Sequence, residues 1–214
     1  VKVGTHSAFF NNIAGSGAAN YLNYTVSPLL NSPSIISISF WIYRTQSNPT
    51  VFLEFANGST PGIQIYSESN NKLYLSITTT NQGGYNYLNS GESTIPLNTW
   101  THITVTYRSG ELIAYINGTS VITSSTYTGN LIIYGQVPLT NLIIGGNFGV
   151  NYAYAGYIDD IRIYNNTLSA TDILSLYNNT PALANDSSLP MVSCSMSYDG
   201  SYFTVSNLSL IHIS

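Results

Sequence analysis

Apolar and polar residues alternate with a period of two in many short stretches of this chain, and turn residues separate them. Ser37 to Arg44 is the first clear stretch, and Val51 to Phe55 follows after Asn48-Pro49. Asn57-Gly58 and Pro61-Gly62 mark the next turn, and Gly62 to Tyr66 is the next strand. Asn70-Asn71 leads into Leu73 to Ile77, so these four segments predict a meander. Trp100 to Tyr107 and Glu111 to Ile116 predict a hairpin across Ser109-Gly110, and Asn117-Gly118 starts another turn. In the first of these, Ile103, Val105 and Tyr107 alternate with His102, Thr104 and Thr106, so one face packs and the other is polar. Asn141 to Gly145 and Tyr157 to Tyr164 are the last clear strands. The polar stretch from Thr78 to Pro96 is expected to be a long loop or a loop with ragged strands, and long loops often carry function.

One helix is expected. Ser169-Ala170-Thr171-Asp172 reads as a capping box with Asp in place of Glu, and Ile173, Leu174, Leu176 and Tyr177 follow as a short apolar stripe. Residues 179–190 are rich in Asn, Ser and Pro and read as a linker. The pattern predicts an all-β domain over residues 1–178 with one short C-terminal helix, then the start of a second β-rich repeat over 191–207.

Composition narrows the function. Only 7% of the 214 residues are charged, against roughly 25% in an average domain. Hydrophobic residues make up 43%, and the polar surface must come from Asn, Ser, Thr, Gly and 18 Tyr. The net charge is −4, and Lys2, Arg44, Lys72, Arg108 and Arg162 form no basic run, which argues against nucleic acid as a partner. No apolar run reaches the roughly 18 residues of a membrane helix, so membrane insertion by a helix is not expected. The single cysteine, Cys194, allows no internal disulfide and no cysteine zinc site. The chain opens on Val1 and is read as a piece of a longer protein whose other domains are its partners. Leu208 to Ser214 matches the conceptual translation of a common sequencing adapter, so His212 carries no argument.

Five ordered motifs resemble the laminin-G-like branch of the concanavalin A-like lectin/glucanase superfamily. They are Ser37 to Tyr43, Trp100 to Tyr107, Tyr115-Ile116-Asn117-Gly118, Ile144-Gly145-Gly146, and Gly156 to Asn165 followed by Leu168-Ser169 and Ile173. The resemblance spans about residues 4–178. It implies a two-sheet antiparallel jelly-roll sandwich, while the charge-poor polar surface is what suits a secreted or virion-surface setting. It also brings in calcium as a ligand to test, with Asp159 or Asp160 as its carboxylates. Separately, Ser197 to Tyr202 resembles the start of an Asp-box-like propeller repeat, although an ordinary Asp-Gly turn reads the same way.

The acids argue against hydrolysis. No Glu has a second acid two residues away, and Asp159 and Asp160 are adjacent, so one strand face cannot carry a glycosidase pair. His102 is expected to be a cross-strand hydrogen bonder, and Asp160 shares strand parity with Arg162 as an ion pair. For binding, sugar C–H faces stack on aromatic rings while hydroxyls meet amides. Tyr85, Asn86 and Tyr87 in the long loop, and Asn147, Asn151 and Tyr152 between late strands, are therefore the candidate carbohydrate-binding residues. The expected function is a non-catalytic glycan-binding or adhesion module. A fibre spacer or oligomerisation domain, or an accessory domain of an enzyme, are the alternatives.

Overall fold

A computed structural model of the chain describes residues 2, 7–12, 21–26, 28–58, 60–84, 86–133, 135–147 and 152–178, with the backbone of 191–196 and 203–206. The segments expected as the start of an Asp-box-like repeat (Ser197 to Tyr202), as an adapter translation (Leu208 to Ser214) and as a linker (179–190) fall outside the described residues.

Two antiparallel sheets face each other across one apolar layer. The first contains β1 (Ala8–Asn11), β3 (Ile35–Arg44), β8 (Trp100–Arg108), β9 (Glu111–Ile116), β10 (Thr119–Ser124) and β12 (Ala155–Tyr164), joined at its far side by β13 (Met191–Met196) and β14 (Phe203–Ser206). The second is ordered β2 (Leu22–Thr25), β11 (Asn141–Ile144), β4 (Thr50–Asn57), β5 (Thr60–Ser67), β6 (Lys72–Ile77) and β7 (Asn86–Thr94). The helix α1 (Ala170–Tyr177) follows β12.

The period-two pattern explains the packing. Ile36, Ile38, Phe40 and Ile42 of β3 and Ile103, Val105 and Tyr107 of β8 point into the layer. Ile63 and Ile65 of β5 and Leu73, Leu75 and Ile77 of β6 meet them from the other sheet. Each such side chain contributes roughly 1.5–3 kcal/mol on burial. Asn117 (φ 51°) and Gly118 (φ 77°) both take the left-handed region that a two-residue hairpin turn requires, so β9 runs straight into β10.

The capping box forms as expected. Ser169 Oγ accepts from the Asp172 N–H, and the Asp172 carboxylate accepts from the Ser169 N–H at 2.8 Å. Below it, Leu168, Ile173 and Leu176 bury themselves against Tyr115 and Tyr164. These are outward residues of the first sheet, so α1 covers that sheet's outer face. Tyr177 extends the cover by stacking 5.8 Å from the Trp41 ring. Among the described residues, the second sheet carries no such helix.

Of the two readings of Thr78 to Pro96, the one with strands is what forms: Asn86–Thr94 pairs with β6 as an edge strand. An edge strand needs apolar residues on one face only, and Leu88 with the small buried Ser90 suffices.

Candidate functional site

The outer face of the second sheet gathers tyrosines. Inward Ile63, Ile65, Leu73 and Leu75 force Gln64 and Tyr66 of β5, and Tyr74 and Ser76 of β6, to the other side. Register then sets the rows. Tyr66 lies opposite Tyr74, and Tyr74 opposite Asn89; Gln64 lies opposite Ser76, and Ser76 opposite Tyr87. The Tyr66 and Tyr74 rings stack at 5.3 Å. Tyr87 stands diagonal to Tyr74, within reach of a long side chain.

Tyr152 joins from a loop. Its carbonyl accepts from the Val51 N–H at 3.0 Å, and Val51 is the β4 residue opposite Tyr66. Burial raises the Tyr66 pKa most, and Glu68, Tyr87, Tyr74 and Tyr152 raise it further, so these groups surround one phenol. The depth is graded. Tyr66 is buried and Tyr74 half-buried, while Tyr87 and Tyr152 keep 64% and 40% of their surface exposed. Beside them, the Gln64 amide donates to the buried Glu54 carboxylate, which fixes its orientation. The result is a deep aromatic floor, two exposed aromatic rims and neutral amides at Gln64 and Asn89.

Of the expected residues, Tyr87 and Tyr152 are brought together here. Asn86 is not part of the face; its Nδ2 donates to the carbonyls of Ile77 and Gly84 at 3.3 and 3.2 Å and locks the turn into β7. Asn147 is half-buried, with a buried side-chain oxygen that meets no donor among the described residues. No described contact joins Asn147 to the tyrosines. Tyr85 and Asn151 lie outside the described residues. Tyr66 and Tyr74 escaped the sequence reading; their period-two placement opposite buried Ile65 and Leu75 was the available signal.

Asp159 and Asp160 sit on the other sheet. The Asp159 carboxylate accepts from the Lys2 backbone N–H at 2.7 Å, and Asp160 accepts from Arg162 Nε at 2.8 Å. Asp160 occupies the left-handed region at φ 50°, in the irregularity that interrupts β12 against β3. Both carboxylates are engaged, and no group of three metal-ligating side chains exists among the described residues.

His102 sits under the end of α1. Its Nε2 and Ser39 Oγ are 2.8 Å apart, and its ring lies 4.9 Å from Trp41. Burial, then Arg162 and Lys2, push its pKa down to about 3, so it is neutral. Other acids are dispersed: Glu111 pairs with Arg108 at 2.7 Å and Asp172 caps the helix. Among the described residues, no helix is long and apolar enough to cross a membrane.

A two-sheet antiparallel sandwich backed by one helix defines a class, and the comparisons agree with it. The chain belongs to the concanavalin A-like lectin/glucanases superfamily, matching its laminin G model over residues 16–174. A native heptameric SAP-like pentraxin from Limulus polyphemus superposes with TM-score 0.60 at 16% identity, covering 96% of this chain and 94% of its own. The Ruminococcus gnavus IT-sialidase CBM40 bound to α2,3-sialyllactose gives 0.60 at 13% identity, covering 80% and 97%. The botulinum neurotoxin serotype D ligand binding domain, in complex with N-acetylneuraminic acid, gives 0.58 at 18% identity, covering 78% of this chain but 42% of that one. No curated protein matches the chain.

Proposed function

We propose that this chain is a non-catalytic carbohydrate-recognition module of a larger extracellular protein, and that it binds through the tyrosine face of the second sheet. The observation that carries this is the convergence of Tyr66, Tyr74, Tyr87 and Tyr152 on the outer face of the second sheet, which no helix covers among the described residues. Aromatic planes suit the C–H faces of pyranose rings, and Gln64, Asn89 and the phenols suit hydroxyls. Two similar structures, a CBM40 and a toxin domain, hold sialylated ligands, which supports a glycan reading for the fold. With so little charge, attraction comes from stacking and neutral hydrogen bonds. Single-site Kd values of roughly 0.1–1 mM follow, and multiple copies would supply avidity. Secretion or a virion surface is the setting that the polar, charge-poor surface suits.

The test is a glycan array with a multimerised chain, followed by Tyr87→Ala and Tyr152→Ala. Each should weaken binding by about fivefold to tenfold. Binding untouched by both substitutions moves the site elsewhere. Binding to no glycan turns the reading toward a spacer.

A further inference from the structure

Only five residues carry permanent side-chain positive charge in this chain, and the structure places all of them. Lys2 Nζ lies 4.2 Å over the Trp41 ring, on the helix-covered sheet. Arg162 pairs with Asp160 on that same sheet. Arg108 pairs with Glu111 at the turn between β8 and β9. Arg44 is buried inside the sandwich with no exposed surface. Lys72 alone shares the tyrosine face, two residues before Tyr74, and Glu92 already stands 3.8 Å from its ammonium.

Negative charge is more plentiful there. Glu54 lies beside Gln64 in the row that ends at Tyr87. Glu68 follows Tyr66 closely, and its field reaches the Tyr66 phenol. Glu68 and Glu92 therefore stand at the face against one lysine, with the buried Glu54 carboxylate held behind Gln64. A ligand carboxylate would meet neutral donors and like charges, with no free cation to replace its lost water.

We infer that the tyrosine face selects neutral glycans and rejects the same glycans capped by sialic acid. This rests on the glycan-binding reading above and assigns a specificity opposite to the ligands in the similar structures. The experiment is a glycan array of matched pairs, such as lactose and α2,3-sialyllactose, probed with the full chain at low and high salt. The neutral member of each bound pair should bind about fivefold tighter or more at low salt, and the gap should narrow at high salt. The double variant Glu68→Gln, Glu92→Gln should raise binding of the sialylated member and leave the neutral member unchanged. Sialylated glycans binding as well as or better than their neutral partners overturn the inference and leave the glycan reading standing. No binding to either member of any pair overturns both.

Discussion

The Tyr66 and Tyr74 rings stack 5.3 Å apart at 30°, one from β5 and one from the strand paired with it. Directly opposed aromatic pairs stabilise a sheet as well as forming a surface. Tyr66 is buried, with the Tyr74 ring stacked on it and Val51 opposite it on β4. Tyr66→Ala should therefore cost about 3 kcal/mol in urea unfolding, whereas Tyr74→Ala should lose only about 1 kcal/mol, the order of one aromatic pair. Equal costs would mean that Tyr66 is not the floor of the face.

The neutral His102 makes stability depend on pH in one direction. Its folded pKa is near 3, below the ordinary 6.5. Between those values the unfolded chain holds more protons than the folded one. The contribution is whole above about pH 6.5 and is lost as pH falls toward 3, with a slope approaching 1.4 kcal/mol per unit. Chemical denaturation from pH 7 to 4 should show this slope, and His102→Gln should remove much of it. A variant that keeps the full slope assigns it to carboxylates instead.

Arg44 is a buried cation without a carboxylate in salt-bridge reach among the described residues. Its guanidinium donates to Asn71 Oδ1 at 3.2 Å and to the Asn48 carbonyl at 3.4 Å, while Nε has no partner. Burial lowers its pKa. Such a group costs desolvation that its hydrogen bonds offset poorly, so a well-packed apolar replacement is tolerated. Arg44→Met should hold stability within about 1 kcal/mol, and Arg44→Ala should lose about 2–4 kcal/mol through the cavity it leaves. A large loss in the methionine variant would show that the hydrogen bonds to the two loops outweigh desolvation.

Gly156 cannot accept a side chain. Its φ is +138°, and an added Cβ would stand 2.0 Å from the Tyr43 carbonyl oxygen, which also accepts from the buried Tyr154 hydroxyl. Gly156→Ala should cost 3 kcal/mol or more, roughly the scale of backbone strain plus a lost buried hydrogen bond. Thermal melting of this variant near wild-type temperature would show that β12 slides away from β3 with little resistance.

Much of the fold could be read in the sequence, because Ile38, Phe40, Ile103 and Val105 alternate so cleanly and Ser169 and Asp172 announce the helix. The site was only half legible. Tyr87 and Tyr152 stood out as aromatics in polar surroundings, yet β7 was hidden because an edge strand buries little. Asn86, expected as a ligand contact, donates through Nδ2 to the backbone of its own turn. Tyr66 and Tyr74 lay in strands that were correctly expected, but nothing local says that one faces the other. That fact belongs to the register between β5 and β6, which the whole sandwich determines.

Trp41 gives the molecule an optical signal of its own. It is one of two tryptophans, it is 1% exposed, and it lies outside the core between the sheets, under Tyr177 and beside His102. Its emission therefore reports the seam between helix and sheet. If α1 lifts away, the indole meets water and its fluorescence shifts to the red while the layer between the two sheets is still closed. Partial opening of the helix-covered side can thus be watched without a label, separately from any event on the tyrosine face.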